Sequence, residues 1–194
     1  MSKGLVVVTG ANGYIAARTV EALLEAGFSV RGTVRSIKSA APVKEALARF
    51  GDKLSFVQVP DITAPGAFDE AFKGAFAVAH TASPVAFSFP DPDPVIHTAK
   101  RSVLEALQSA AKEPSVKHFV FMSSASAIRG PRQGDYTYTE KDWNEYAPAE
   151  LARLGKQTPG PLIYGASKVA GERELWRFRD EEKPSFTVVS VNPV

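Results

Sequence analysis

The segment LIYGASKVAGE, residues 162–172, places a tyrosine four residues before a lysine. In a helix this spacing puts Tyr164 and Lys168 on the same face, about one turn apart. A phenol can give a proton to a carbonyl oxygen when its pKa is lowered toward neutral pH, and a neighbouring ammonium group lowers it by stabilising the phenolate. The pair could therefore deliver a proton, although the same spacing also occurs by chance on ordinary helix surfaces.

A hydroxyl group that holds the same carbonyl oxygen would complete such a proton-delivery set. The segment FVFMSSASA, residues 119–127, ends a predicted strand with three candidates, Ser123, Ser124 and Ser126. Reduction of a carbonyl group adds a hydride to carbon and a proton to oxygen, so the set would also need a bound hydride donor. Ser123 and Ser124 lie where the nicotinamide ring of such a donor is expected.

Short apolar runs alternate with longer amphipathic segments along the chain. The apolar runs predict strands at residues 5–10, 28–35, 54–59, 75–83, 116–127 and 186–194. The segments between them predict helices at 15–27, 43–51, 66–74, 94–113 and from about 161 to 180, with a loop from about 129 to 161. Apolar strands separated by helices are typical of a parallel sheet covered on both faces. We therefore predict an α/β domain over residues 1–194, with a doubly wound parallel sheet of the Rossmann type.

Ligands of such sheets bind beyond the carboxyl ends of the strands. The first predicted strand is followed by GANGYIA, residues 10–16. Glycines allow the backbone to approach a pyrophosphate, and the next helix offers free N–H groups at its start. The pattern predicts dinucleotide binding, and a tight turn without a ligand is the alternative. The predicted contacts are Gly10, Asn12, Gly13, Tyr14 and Ile15.

The second predicted strand ends in VRGTVRS, without the acidic residue that would bind the ribose of NAD. Arg35 stands at its tip and Lys38 follows closely. Because a guanidinium group suits a 2′-phosphate, the predicted cofactor is NADPH or NADP. A solvated arginine at a strand end is the alternative.

The ends of the third and fourth predicted strands give weaker indications of cofactor binding. Asp61 could accept a hydrogen bond from the adenine amine while Ile62 contacts the ring, or Asp61 could simply form a turn. After the fourth strand, small and polar residues leave room for the cofactor beside the backbone. The residues predicted to lie there are Thr81, Ala82 and Ser83.

Composition excludes several other classes of function. The chain has 194 residues and a net charge of +2, with no basic run that would predict nucleic-acid binding. It contains no cysteine, and its three histidines lack metal-ligand spacing, so we expect no metal site. The apolar run near the N-terminus is too short for a signal peptide or a membrane span. We expect a cytoplasmic protein that binds no membrane.

Together, VVVTGANGYIA, VRGTVRS, VAHTASPV, FVFMSSASA and YGASK resemble the short-chain dehydrogenase/reductase superfamily. Within it, the sequence is most similar to the extended, atypical branch of dihydroflavonol-4-reductase relatives, and there to the fungal and yeast NADPH-dependent aldehyde and carbonyl reductases. The resemblance covers essentially the whole chain and implies a small-molecule carbonyl substrate.

The resemblance also implies roles for individual residues. Ser124 would be the catalytic serine, Tyr164 the general acid, and Lys168 its partner and a ligand of the nicotinamide ribose. Arg35 would bind the 2′-phosphate, and Pro193 would contact the nicotinamide end. The residues Asp61 and Ile62 would border the adenine.

Relatives of this kind are longer and carry a C-terminal part that closes over the substrate, whereas this chain ends at Asn192-Pro193-Val194. We therefore expect the substrate-binding part to be missing. The chain alone would bind the adenine half of NADPH, reduce carbonyls poorly and self-associate as a homo-oligomer through the uncovered face. The alternatives to a reductase are a cofactor-binding module without turnover and an NAD-dependent sugar-nucleotide epimerase or dehydratase, against which Arg35 counts.

Overall fold

The sheet is parallel throughout and has six strands. The computed structural model describes residues 2–83 and 90–194. The strands are β1 (Leu5–Val8), β2 (Ser29–Val34), β3 (Leu54–Gln58), β4 (Ala77–His80), β5 (His118–Met122) and β6 (Thr187–Val191). Their order in the sheet is β3-β2-β1-β4-β5-β6, and every neighbouring pair is parallel. This arrangement confirms the predicted doubly wound Rossmann fold.

Helices cover both faces of the sheet, as buried parallel strands require. They are α1 (Tyr14–Glu25), α2 (Ala41–Ala46), α3 (Asp69–Phe72), α4 (Pro92–Lys112), α5 (Tyr146–Leu154) and α6 (Gly160–Glu182). Residues from α1 and α2 pack with β1 and β2 in one apolar cluster. Residues from α3, α4 and α6 pack with β1, β4 and β5 in a second cluster on the opposite face.

Helix α6 is seated closely against α4. A Cβ atom added to Gly171 would lie 3.5 Å from the Ala99 carbonyl oxygen and 3.6 Å from Val103 Cγ2, so the two helices approach here at ordinary contact distance. Helix α4 has an apolar stripe that is buried and comprises Val95, Ala99, Val103, Leu107 and Ala110. This packing fixes the helix that carries Tyr164 and Lys168.

Four parts of the secondary-structure prediction need correction. The helix predicted at 43–51 is α2 (Ala41–Ala46) followed by a 3-10 helix at Ala48–Lys53. The strand predicted at 116–127 ends at Met122, and Ala125–Ala127 form a short 3-10 helix. The helix predicted at 66–74 shortens to α3, since Gly66 and Gly74 have positive φ values of 68° and 70° and so end the helical path. The loop predicted at 129–161 contains α5. Its start is capped by Asn144, whose Oδ1 accepts a hydrogen bond from the Ala147 amide at 3.1 Å. Pro148 falls in the first turn, where the missing N–H group has no intrahelical partner to lose.

Candidate functional site

The strand order reverses between β1 and β4, and the loops that follow these two strands meet at that point. Gly10 has a φ of +65°, and a Cβ atom there would lie only 3.2 Å from Ala82 Cα. Gly13 directly precedes α1, whose first turn has no side-chain cap and no acidic residue. Uncapped N–H groups beside a close glycine turn fit a pyrophosphate. The neighbouring Asn12, Tyr14 and Ile15 are exposed to solvent.

A buried hydroxyl group joins the two loops. Thr9 Oγ1 accepts hydrogen bonds from the amides of Thr81 and Ala82, both at 3.0 Å. Because these bonds occupy both of its lone pairs, its own proton goes to His80 Nδ1, also at 3.0 Å. His80 therefore carries its proton on Nε2, which is buried without a hydrogen-bond partner among the described residues. Sequence reasoning missed this arrangement, since neither residue type is unusual at a strand end.

The neutral state of His80 predicts acid sensitivity. Burial, with a smaller effect from the charge of Lys168, lowers the pKa of His80 to about 3. The unfolded chain has an ordinary histidine pKa near 6.5, so below that pH only the unfolded state takes up the proton. Stability is therefore lost as the pH falls from about 6.5 toward 3, by about 2 kcal/mol at pH 5.

We expect urea unfolding to show this loss between pH 7 and pH 5 and the variant His80→Gln to lose about 2 kcal/mol less over the same range. His97→Gln is the matched control, because His97 is exposed. An identical pH dependence for His80→Gln and the unmodified protein would contradict the assignment.

Two arginines, one within β2 and one directly after it, have different roles. Arg31 Nη1 donates to the carbonyl oxygens of Ala71 and Lys73, both at 2.8 Å, and so holds the turn after α3. Arg35 is exposed, and no carboxylate pairs with it in the described ranges. Lys38 is also exposed, in the short 3-10 helix Ile37–Ala40. The structure thus leaves the guanidinium group of Arg35 available to a ligand.

The end of β3 has a defined turn. Asp61 Oδ1 accepts hydrogen bonds from the amide of Thr63 at 2.8 Å and from its hydroxyl at 2.6 Å. The Thr63 hydroxyl and amide hold the pKa of Asp61 below its usual value. Ile62 is partly buried against the apolar cluster under α3 and α4. Both interpretations of Asp61 stay open, because its second carboxylate oxygen is not used by this turn.

Lys168 lies at the carboxyl end of the sheet and is only 5% exposed. Its Nζ donates to Ser83 Oγ at 3.1 Å and to the Met122 carbonyl oxygen at 3.4 Å, so it bridges the ends of β4 and β5. The same Nζ is 5.6 Å from the centroid of the Tyr164 ring. Burial lowers the pKa of Lys168 to about 8, while the charge of Glu172 acts in the opposite direction. The ammonium form therefore still predominates at pH 7.

The three serines after β5 differ in their surroundings. Ser123 faces α6 and donates to Glu172 Oε2 at 2.5 Å. Ser124 and Ser126 both line a cavity of about 450 Å³, and Ser124 Oγ accepts from the Ser126 amide at 3.1 Å. Successive side chains of an extended segment point to opposite sides, which explains the separation of Ser123 from Ser124.

This cavity is built largely from the segment that was predicted only as a loop. Its polar and aromatic lining residues from that segment are Arg129, Tyr138, Asn144 and Tyr146. Leu162 and Gly165 of α6 also line it, whereas Tyr164 does not. Within the described residues no hydrogen bond joins the Tyr164 hydroxyl to Ser124. Of the predicted proton-delivery set, Tyr164 and Lys168 therefore lie side by side. Ser124 lies at the neighbouring cavity.

The chain after β6 runs beside the serine turn. The Pro193 carbonyl oxygen accepts from the Ala125 amide at 2.8 Å, and Asn192 Nδ2 donates to the Ser124 carbonyl oxygen at 3.1 Å. Pro193 is thus adjacent to the predicted catalytic serine.

No described helix is long and apolar enough to cross a membrane, and the described residues form no cluster of three or more potential metal ligands.

The parallel sheet and the glycine turn at its switch point define a doubly wound α/β domain of the Rossmann class. Residues 6–194 match the NAD dependent epimerase/dehydratase family, and the chain belongs to this family. Its extended short-chain dehydrogenase/reductase character, predicted from the sequence, is thereby confirmed.

Similar proteins are known from fungi. The chain is 41% identical to an NAD-dependent epimerase/dehydratase of Aspergillus terreus over 98% of its own length and 57% of that protein. It is also 41% identical to aldehyde reductase 2 of Sporidiobolus salmonicolor, over 97% of this chain and 56% of that one. The structure of yeast methylglyoxal/isovaleraldehyde reductase complexed with NADPH matches with a TM-score of 0.87 and 32% identity, covering 98% of this chain and 57% of that chain. The chain thus spans a little over half the length of these relatives.

Proposed function

We propose that this chain is the NADP(H)-binding and proton-delivering part of an oxidoreductase that reduces aldehydes or ketones to alcohols. The observation that carries the proposal is the buried ammonium group of Lys168, beside Tyr164, at the carboxyl end of the sheet. The similarity to an aldehyde reductase and to an NADPH-bound reductase supports the same reaction class.

In this proposal the cofactor lies along the carboxyl ends of the strands and, when bound, supplies the hydride. The turn at Gly10 and Gly13 would hold the pyrophosphate, because its glycines have no side chains to keep the ligand from the backbone and α1 begins there without a cap. Arg35 would pair with the 2′-phosphate, with Lys38 nearby. The further proposed contacts are Asn12, Tyr14, Ile15, Asp61, Ile62, Thr81, Ala82, Ser83, Ser123 and Pro193.

In this proposal Tyr164 delivers the proton. Lys168 is still mainly charged at pH 7, so its ammonium group would stabilise the phenolate that forms when Tyr164 gives its proton to the substrate oxygen. Ser124 would donate a hydrogen bond to the same oxygen. Among the three serines, its place at the cavity favours Ser124 over Ser123, whose proton is held by Glu172. Ser126 lines the same cavity and is the remaining rival.

The test is NADPH oxidation with a panel of aromatic and aliphatic aldehydes and ketones, measured for the 194-residue chain and for a chain continued past Val194. Carbonyl-dependent oxidation by either form supports a reductase. Cofactor binding without turnover in both would instead favour a binding module. Recovery of the protein with NAD already bound would favour the epimerase or dehydratase reaction, which the name of the Aspergillus terreus relative suggests.

Arg35→Ala should abolish most of the preference for NADPH. A charge-assisted contact with the 2′-phosphate is worth roughly tenfold to a hundredfold in affinity, so the unmodified protein should bind NADPH that much more tightly than NADH. Calorimetric titration with both cofactors measures this difference. Arg18→Ala is the control, because Arg18 is an exposed arginine that pairs with Glu21 on α1. Equal affinities of the unmodified protein for NADPH and NADH would contradict the assignment.

A further inference from the structure

Helix α6 carries two buried glutamates with different partners. Glu174 is 2% exposed and contacts two cations, Lys100 at 3.6 Å and Arg177. Glu172 is 5% exposed, and no cationic side chain forms an ion pair with it within 4.0 Å in the described part of the chain. A buried carboxylate without such a pair is costly unless other groups compensate its charge.

Neutral donors from three elements converge on Glu172. Oε2 accepts from Ser123 Oγ at 2.5 Å and from Asn192 Nδ2 at 2.8 Å, and Oε1 accepts from Trp176 Nε1 at 3.4 Å. Ser123 follows β5 and Asn192 follows β6, so one carboxylate ties both strand ends to α6. Asn192 also donates to the Ser124 carbonyl oxygen at 3.1 Å, which extends the connection to the cavity.

Glu172 is also one helical turn from Lys168, on the same face of α6. Three titratable side chains surround Lys168 within the described ranges: Tyr164 and Glu172 from α6, and His80 from β4. Its other neighbours, Ser83 and the Met122 carbonyl, are uncharged. His80 is neutral at pH 7, so Glu172 is the charged group that compensates the ammonium.

We propose that Glu172 is a positioning residue of the candidate site, whose buried carboxylate holds the ends of β5 and β6 against α6 and provides the counter-charge of Lys168. The inference rests on the proposed role of Lys168 in cofactor binding and proton delivery. It assigns a function to a side chain that touches neither the cavity nor the phenol.

The first test measures the titration of Lys168 without any cofactor. Lysine side chains labelled with carbon-13 at Cε are followed by NMR against pH, and the Lys168 signal is identified by its absence in Lys168→Met. Glu172→Gln removes the negative charge and should lower the pKa of Lys168 by roughly one pH unit. The matched control is Glu174→Gln, which removes a buried charge from the same helix and should leave this titration unchanged.

The variant Glu172→Asp distinguishes the effect of the negative charge from the effect of its position. It also provides a second test if Glu172→Gln fails to fold. It keeps the carboxylate but draws it back by one methylene group, so the pKa of Lys168 should stay close to that of the unmodified protein. An unchanged titration in Glu172→Gln, or a fall in Glu172→Asp as large as that in Glu172→Gln, would overturn the proposal.

The second test compares NADPH with 2′-phospho-ADP-ribose, which lacks the nicotinamide half. Glu172→Gln should weaken NADPH binding about tenfold and leave 2′-phospho-ADP-ribose binding unchanged, since Lys168 is proposed to contact only the nicotinamide ribose. An equal effect on both ligands would overturn the positioning role. If neither ligand binds the unmodified protein, the proposed function fails, and the lysine titration still decides the role of Glu172.

Discussion

Replacing Tyr164 by phenylalanine should lower the rate of carbonyl reduction by at least about 100-fold. The change removes the phenolic proton and keeps the ring that contacts Lys168, so folding and NADPH binding should be unaffected. This factor is the lower end of what general acids contribute to catalysis. The measurement is steady-state NADPH oxidation in whichever chain length turns over, with NADPH affinity determined in parallel.

Tyr138→Phe is the matched control for this variant. Tyr138 lines the cavity, but its hydroxyl donates to the Gly130 carbonyl oxygen and is not free to serve a substrate. Loss of that bond should change turnover by less than about tenfold. If Tyr164→Phe keeps nearly full activity, the proton comes from another group, and the role of Tyr164 as general acid is wrong.

Replacing Thr9 by valine should destabilise the protein by about 2–6 kcal/mol, although the two side chains have nearly the same shape. The hydroxyl of Thr9 is the acceptor for the amides of Thr81 and Ala82 and the donor to His80. Valine would leave both amides without that acceptor, and each unsatisfied donor costs about 1–3 kcal/mol. Urea unfolding monitored by tryptophan fluorescence measures the difference.

The same change at Thr19 provides the control. Thr19 Oγ1 donates only to the Ile15 carbonyl oxygen on the outer turn of α1, so Thr19→Val should alter stability by no more than about 0.5 kcal/mol. Equal stabilities for Thr9→Val and Thr19→Val would mean that the loops after β1 and β4 do not depend on this hydroxyl. A loss at Thr9 should also weaken NADPH binding, because the loop after β1 contains the glycine turn and the loop after β4 packs against it at Gly10.

Much of the fold could be predicted from the sequence, because the patterns that indicate its strands and helix ends are local. Apolar strands with few polar interruptions indicate a parallel sheet, and Gly27 predicted the end of the first helix. The structure agrees: Gly27 has a φ of +93°, and the amides of Gly27 and Phe28 bond back to Leu24 and Leu23. Helix α5 was missed because the segment from 129 to 161 is rich in Gly, Pro and polar residues, whereas the cap at Asn144 makes Pro148 acceptable in the first turn.

The candidate site could be predicted from the sequence to about the same extent as the fold. The sequence by itself determined which residue types could do chemistry and which strand ends carry them, because the Tyr-Lys spacing and the glycine turn are short-range patterns. Only the tertiary structure showed that Ser124 and Ser126 line the cavity whereas Ser123 does not. It also revealed that Glu172, Asn192 and Ser123 converge, and that His80 is neutral. These last features depend on burial and on contacts between β4, β5, β6 and α6, which are distant in sequence and which no local pattern encodes.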